Sequence, residues 1–300
     1  MSEADGNEFS YVMKHTFSAS VLKQLTILKS QNGRNAVYLI GTDHFSKKSA
    51  ENVRDLIGIV KPKAVFLELC EERRSFIERS PNDNRVEAET SFFGALDDLR
   101  NGRINLFGLF YKTGQRMASL EFGVEGGGEF VAGYHAAKEC GASVILGDRN
   151  RGVTVQRIWQ GLSFFEKATV ATALAVPLLM RNSKTAQKKL VENRKETDYD
   201  ILDAILRTGR TSPWYTESLL FERDLYMLHR LSETFRSFDE EDSCDIVAVV
   251  GAAHVVGMTE RWNMEIKYPG SELSPGKIAD VLKIPGRTTD EKYISYKDLR

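Results

Sequence analysis

The sequence predicts an α/β (α+β) protein, built on a small mixed, largely parallel sheet with a large helical insertion. Short apolar runs that end in glycine or in a charged residue alternate with stretches of helical periodicity, a pattern typical of buried strands covered by helices. The helical insertion is expected at about 71–140 and 155–237. We expect a single domain at 17–270, preceded by a flexible tail at 1–16 and followed by a C-terminal tail at 271–300.

The first two strands are predicted to form a hairpin. Leu25–Leu28 and Ala36–Ile40 flank Asn32-Gly33, a dipeptide that favours tight hairpin turns. A helical pattern at Ser49–Val60 and a buried-type strand at Ala64–Leu67 follow. The short connections of this strand–helix–strand unit predict a parallel pair with a right-handed crossover.

Three further strands are predicted in the rest of the chain. Ser143–Leu146 follows a helix at Glu129–Cys140, which begins after a glycine-rich break at Gly123–Gly128. Ile246–Val250 is a continuous apolar run of the kind found in strands covered on both faces. Met264–Tyr268 is interpreted as one more short strand.

Composition limits the classes of function. The 300 residues carry 41 basic and 42 acidic side chains, well mixed, with a net charge of −1. There is no global basic field to hold a phosphate backbone, so we expect no nucleic-acid partner. Three cysteines without CxxC spacing indicate a reducing compartment. Because the acidic N-terminal stretch is not a signal peptide, we expect a cytoplasmic or cytosol-facing protein that is not secreted.

The longest apolar run, Ala168–Met180, is too short to cross a bilayer. It has thirteen residues between Lys167 and Arg181, whereas a spanning helix needs roughly 20. We interpret the wider segment Phe164–Met180 as a core helix. The alternatives are a homodimer contact and a shallow helix on a membrane surface.

Two strand ends repeat one motif, in which glycine and two further residues lead to histidine. The motif occurs at Gly41–His44 and again at Gly251–His254, each directly after an apolar strand. Glycine permits a sharp turn and a close approach to a ligand, and the carboxyl edge of an open α/β sheet is where ligands bind. One copy alone would be weak evidence, but two copies at equivalent strand ends predict a shared site.

Two other strand ends contribute polar groups to the same predicted edge. Glu68 follows the strand at 64–67, and Asp148-Arg149 follow the strand at 143–146. Two imidazoles and a carboxylate match a catalytic metal site that leaves a position for water. We expect His44, His254 and Glu68 to bind one divalent ion (zinc, with manganese or cobalt as alternatives), Glu68 serving as third ligand or as general base. Arg149 would neutralise a developing oxyanion.

Six sequence blocks resemble the TraB/PrgY family, above all its eukaryotic TraB domain-containing members. They are VYLIGTDHFS, VFLELCEERR, GGEF, ILGDR, FERDLYM and VVGAAHVVGM, in family order from about residue 36 to 268. The family is more distantly similar to the Tiki metalloproteases, to GumN and to erythromycin-esterase-like proteins. This resemblance implies catalysis by His44, His254 and Glu68. It also implies that Glu222-Arg223 match a Glu-Arg block of those relatives, with Arg223 helping to position the substrate.

The resemblance implies a metal-dependent, peptidase-like hydrolase that acts on a peptide or protein substrate. Tiki proteins are described as divalent-metal-dependent proteases, and PrgY relatives as reducers of peptide pheromone activity. This sequence lacks the secretion signal and cysteine pattern of Tiki, so an extracellular substrate is not expected. Eukaryotic relatives are often associated with the mitochondrial outer membrane, which implies association with that surface. The alternative function is a non-catalytic mitochondrial-surface scaffold or ligand-binding protein that retains the fold. For Glu222-Arg223-Asp224, the alternative to a role at the site is a triplet of solvated surface charges.

Overall fold

An α/β architecture is confirmed in the computed structural model. The structure describes residues 16–30, 35–43, 47–78, 101, 127–169, 172, 216–238 and 244–283. Within these ranges five strands form one sheet in the order β1-β2-β5-β3-β4. A short helix, α1 (Ala19–Leu22), precedes the sheet and begins at Ser18, whose hydroxyl accepts a hydrogen bond from the N–H of Val21.

The predicted hairpin is confirmed. β1 (Leu25–Lys29) and β2 (Ala36–Thr42) pair antiparallel, with Ile27 opposite Tyr38. The turn at 31–34 lies outside the described residues.

The next strand–helix–strand unit is parallel, but its two strands are not neighbours. α2 (Lys47–Val60) leads to β3 (Ala64–Leu67), and β5 (Ile246–Gly251) lies between β2 and β3, parallel to both. In the β2–β5 pair, Thr42 is opposite Gly251. The two glycine–histidine motifs therefore begin next to each other, at the ends of neighbouring strands.

β4 (Ser143–Leu146) completes the sheet as a parallel neighbour of β3. Four parallel strands, β2, β5, β3 and β4, consequently end at one edge of the sheet, here called the carboxyl edge. The other helical elements follow in chain order: a 3-10 turn at Glu71–Arg73, α3 (Arg74–Ile77), α4 (Gly128–Cys140), α5 (Arg151–Gly161), a π turn at Glu217–Phe221 continuing into α6 (Glu222–Arg236), α7 (Ala252–Lys267) and α8 (Pro275–Leu282).

Helices cover both faces of the sheet. Alternate side chains of β3, such as Val65 and Leu67, pack in a core with α2 and α4, whereas Phe66 packs with α6 and α7 on the opposite face. This period of two is the expected geometry of a strand buried on both sides.

The strand expected at Met264–Tyr268 is wrong, because these residues end the helix α7. The buried residues of α7 follow at intervals of four, at His254, Met258 and Trp262. Ile266 continues that stripe and packs against the same core. A five-residue apolar window is too short to separate the two periodicities.

Part of the segment expected as a C-terminal tail is packed. Ser274 caps α8 by accepting a hydrogen bond from the N–H of Lys277. Ile278 and Val281 are buried against Leu225 of α6. Residues 284–300 and the tail expected before residue 16 lie outside the described residues.

Most of the apolar segment at 164–180 also lies outside the described residues. Its first two residues, Phe164 and Phe165, are each 80% exposed and lie edge to face, 5.9 Å between ring centroids. Among the helices that the structure describes, none is both long enough and apolar enough to cross a membrane.

Candidate functional site

Polar side chains from four elements meet at the carboxyl edge of the sheet. Glu68 follows β3 directly, Asp148 follows β4, and His254 lies in the first turn of α7, after β5. Arg223 and Asp224 come from the first turn of α6. All five are joined by hydrogen bonds or ion pairs, so the structure brings together groups that are up to 186 residues apart (254 − 68).

Glu68 is the centre of this cluster and only 6% exposed. Its Oε2 accepts a hydrogen bond of 2.6 Å from the backbone N–H of Gly251, at the N-terminus of α7, where the helix dipole favours a negative charge. Its Oε1 lies 3.1 Å from Nε2 of His254 and also accepts from the guanidinium of Arg223. Burial opposes ionisation, but Arg223 and His254 outweigh it and hold the pKa of Glu68 well below its usual range. Glu68 is therefore a carboxylate at neutral pH.

The imidazole of His254 is held at both ring nitrogens. Nδ1 lies 2.5 Å from Oδ1 of Asp224, and Nε2 faces Glu68. Burial alone would lower the pKa of His254, but the two carboxylates raise it to about 9. Each ring nitrogen of His254 faces a carboxyl group, an arrangement that favours the protonated imidazole.

Arg223 fixes the orientation of Glu68. Its Nε and Nη2 each donate a 2.9 Å hydrogen bond to Asp148, and Nη2 also donates to Glu68. Nη1 donates to the carbonyl of Leu219 at 3.0 Å. Although burial opposes its charge, the two carboxylates raise the pKa of Arg223 above its usual value. Such a bidentate, charge-assisted pair holds a side chain in one geometry.

Arg149 and Glu222, both expected at the site, lie in a second cluster. Arg149 is 0% exposed, and its Nη1 donates to Glu222 at 2.8 Å and to the carbonyl of Val281 at 2.6 Å. Its Nη2 donates to the carbonyl of Ser218, and its Nε to the hydroxyl of Thr154. Because every guanidinium nitrogen of Arg149 is bound within the chain, Arg149 does not reach a substrate in this structure.

Arg157, which the motif analysis did not select, completes the second cluster. Its Nε lies 2.8 and 2.7 Å from the two carboxylate oxygens of Glu222. Burial opposes ionisation, yet Arg157 and Arg149 lower the pKa of Glu222. Successive residues of a helix point about 100° apart, which is why Glu222 faces this cluster while Arg223 faces the carboxyl edge.

The chain is similar to curated proteins from animals and from an archaeon. It is 27% identical to the human TraB domain-containing protein over 259 residues, which cover 81% of this chain and 67% of the human protein. The mouse TraB domain-containing protein matches over the same shares. These matches support a member of the TraB family.

The match to the archaeal protein is similar in strength. An uncharacterized protein of Methanocaldococcus jannaschii is 29% identical over 239 residues, 76% of this chain. The match covers only 54% of that protein, so the chain spans about half the length of this archaeal relative. No family model matches the chain.

Two of the three residues that the sequence predicts as metal ligands, His254 and Glu68, lie next to each other. Nε2 of His254 and Oε1 of Glu68 are 3.1 Å apart, a spacing that two ligands bound at about 2.1 Å to one ion can adopt. Asp224 on Nδ1 is the kind of outer carboxylate that orients a metal-bound histidine. The positive charge of Arg223, which is bound to Glu68, and a proton on Nε2 of His254 both disfavour the binding of a cation between these two residues.

The third predicted ligand, His44, lies outside the described residues. Within the described ranges, no group of three or more His, Cys, Asp or Glu side chains is arranged to hold a metal ion. The backbone leading to His44 is close to the cluster, because a Cβ at Gly41 would lie 2.6 Å from the Val255 side chain in the first turn of α7.

Asp224 belongs to the site, although the sequence motifs indicated only a solvated charge at this position. It is buried, and burial raises its pKa although the bond to His254 opposes that rise. A Cβ at Gly257 would lie 2.1 Å from Oδ2 of Asp224, so the absent side chain leaves room for this carboxylate. The sequence feature that could have indicated this role of Asp224 is Gly257, a glycine one helical turn after His254.

Proposed function

We propose that this TraB-family chain is a metal-dependent, peptidase-like hydrolase whose central pair is Glu68 and His254. The observation that carries the proposal is the buried Glu68 carboxylate 3.1 Å from Nε2 of His254, at the carboxyl edge of a parallel sheet, where α/β proteins bind ligands. Strongly shifted pKa values of buried, mutually paired groups are common at functional sites.

The residues of the cluster have separate roles in this proposal. Glu68 accepts a proton from the attacking water, or serves as a ligand, while the N–H of Gly251 and the guanidinium of Arg223 keep its carboxylate fixed. Asp224 fixes the ring of His254 so that Nε2 is the working nitrogen. A divalent ion held by His44, His254 and Glu68 would supply Lewis acidity towards a scissile carbonyl.

The substrate and the location belong to the same proposal. We propose a peptide or protein substrate and no nucleic acid, with the protein on the cytosolic side, at the surface of the mitochondrial outer membrane, as the family resemblance implies. The exposed Phe164 and Phe165 suit the membrane-surface or homodimer contact expected for the apolar segment. The names of the relatives state no activity.

A specific observation favours the non-catalytic alternative. Glu68, Asp148 and Asp224 each already have a cationic partner inside the chain, so each carboxylate of the cluster is paired without a metal ion. A cluster of buried ion pairs can also hold the ends of strands and helices together without any catalytic role.

Metal binding separates the two functions. Purified protein is dialysed against chelator and titrated with zinc, manganese or cobalt, and peptide hydrolysis is followed at each step. The hydrolase predicts one tight equivalent of metal and metal-dependent cleavage, both lost in His44→Ala. The control is His135→Ala, because Nε2 of His135 has no hydrogen-bond partner in the described structure. Absence of metal binding and of cleavage in the wild type would favour the scaffold.

A further inference from the structure

Two arginines beside the site differ from the buried arginines of the two clusters. Arg73 ends the 3-10 turn that follows Glu68, and Arg151 begins α5. These two residues, the rim arginines, are partly buried. Arg149 and Arg223 both bind carboxylates, whereas neither rim arginine donates a guanidinium hydrogen bond to any residue that the structure describes.

Hydrogen bonds between two loops hold the rim arginines on the same part of the carboxyl edge. The N–H of Asp148 donates to the carbonyl of Leu69 at 3.1 Å, which joins the loop after β4 to the loop after β3. Nearer the arginines, the Asn150 side chain donates to Glu72 at 2.6 Å. Each of these last two residues immediately precedes a rim arginine, so the loops place both arginines on one surface.

The position of Arg73 is further fixed by an aromatic ring. Its guanidinium carbon lies 5.1 Å from the ring centroid of Phe76, within the range of a cation–π contact. Phe76 in turn lies beneath Gly127, where a Cβ would approach its ring to 3.0 Å. The guanidinium is thus held near the start of α4, with no carboxylate partner among the residues that the structure describes.

The charges around Arg73 are unbalanced. Burial lowers the pKa of Arg73, and the charge of Arg151 lowers it further, although Asp148 and Glu68 oppose this. Those two carboxylates are already bound by Arg223. Two partly buried cations that repel each other are costly, and an anion that binds between them removes that cost.

We propose that the rim arginines bind a carboxylate of the substrate beside the Glu68–His254 pair. This inference rests on the proposed hydrolase function, since it states which group of a peptide the site recognises. Guanidinium forks bind carboxylates and phosphates alike through paired hydrogen bonds, and of these two anions an unmodified peptide substrate supplies the carboxylate. A peptide offers such a group at its C-terminus or on an acidic side chain.

Binding of small carboxylates tests the inference without any need for turnover. The full chain is titrated calorimetrically with N-acetylglycine, with N-acetylglutamic acid α-amide and with neutral N-acetylglycinamide. We expect saturable binding of at least one carboxylate and none of the amide. Because hydrogen bonds to charged groups contribute about 1.5–3 kcal/mol, Arg73→Gln and Arg151→Gln should each weaken binding at least about tenfold.

A matched control is available on the protein surface. Arg54, an exposed arginine of α2, changes to glutamine with no expected loss of binding. The melting temperatures of both rim variants should be no lower than that of the wild type, because each substitution relieves repulsion. Preference between the two carboxylate probes identifies a terminal or a side-chain group.

Several results would overturn the inference. They are no saturable binding of either carboxylate, equal binding of the amide, tighter binding of inorganic phosphate, or an equal loss in Arg54→Gln. Carboxylate binding without any peptide hydrolysis would leave the anion site standing and refute the hydrolase, so the two failures are distinguishable.

Discussion

At the scale of single residues, the contact between His254 and Asp224 depends on Gly257, one helical turn further along α7. Asp224 reaches Nδ1 of His254 only because Gly257 has no side chain, since a Cβ there would lie 2.1 Å from Oδ2 of Asp224. The helix itself would favour alanine over glycine by about 1 kcal/mol. Alanine at position 257 would therefore stabilise the helix but displace the Asp224 carboxylate, and these two effects on the free energy of unfolding have opposite signs.

The first prediction compares two glycines in helices. Gly257→Ala should displace the Asp224 carboxylate and destabilise the fold by about 1–3 kcal/mol through overpacking. Gly58→Ala, where a Cβ would meet nothing within 4 Å, should stabilise by up to about 1 kcal/mol. Denaturant unfolding measures both, and NMR of the His254 ring nitrogens reports loss of the Asp224 contact in the first variant alone. Equal free-energy changes would show that Gly257 has no role in positioning Asp224.

The second prediction concerns Glu222 and the two buried arginines that it pairs with. Glu222→Gln leaves Arg149 and Arg157 without a compensating charge, so we expect a loss of about 3–5 kcal/mol in the free energy of unfolding. Turnover per folded molecule should fall far less than in a Glu68 variant, because Glu222 faces away from the carboxyl edge. A stable Glu222→Gln protein with abolished turnover would show that Glu222 is part of the functional site.

The pH dependence of stability checks the same residue. The folded-state pKa of Glu222 is lowered from its ordinary value of 4.5. Its stabilising contribution is thus complete above about pH 4.5 and is lost as the pH falls through the lower, folded-state pKa. We expect the free energy of unfolding of Glu222→Gln to decline less steeply over this acidic window than that of the wild type. Parallel curves would contradict the ion-pair assignment.

At the scale of elements, α8 is part of the support of the site rather than a tail. Arg149 and Arg157 donate to the carbonyls of Val281 and Asp280 near its C-terminus, where cations are favourable. The same arginines hold Glu222 on α6. α8 therefore stabilises the helix that carries Arg223 and Asp224.

The third prediction tests this packing with two isoleucines. Ile278→Ala on α8, where the side chain is 4% exposed, should destabilise by about 2–5 kcal/mol. Ile59→Ala on α2, where the side chain is 44% exposed, should cost much less because little apolar surface leaves the core. Thermal or denaturant unfolding measures both. Equal losses would indicate that α8 is only loosely attached.

At the scale of the whole molecule, local patterns predicted the five strands of the sheet and the β1–β2 hairpin, but not the order of the parallel strands. The apolar runs before Gly41, Glu68 and Gly251 are strong local signals, and each is a strand. The insertion of β5 between β2 and β3 arises from pairing across about 200 residues of sequence. No local pattern encodes such pairing, since it depends on which faces the helices cover.

The site shows the same division between local and non-local information. Glu68, Arg223 and His254 were selected from strand ends and motif blocks, and the structure brings them together. Arg149 and Glu222 were selected by the same motifs but face another cluster. Adjacent residues leave a strand end or a helix in different directions, and the packed face decides which one reaches the edge.

The central claim is that Glu68 is chemically active rather than only structural. Glu68→Gln keeps the size of the side chain, and its amide oxygen can still accept from Arg223, so the protein should stay folded, although losing the charge and the acceptor for the N–H of Gly251 will lower the melting temperature. If Glu68 is the general base, metal is largely retained and turnover falls at least about a hundredfold. If Glu68 is mainly a ligand, metal and turnover are lost together.

The decisive measurement is peptide turnover of Glu68→Gln, with metal content and melting temperature from the same preparation. The matched control is Glu51→Gln, which removes an exposed carboxylate of α2 that pairs with Lys48 at the surface. We expect a folded Glu68→Gln protein with at least about a hundredfold lower turnover, and an unchanged control. A folded, metal-loaded Glu68→Gln protein that cleaves peptides at the wild-type rate would contradict this expectation.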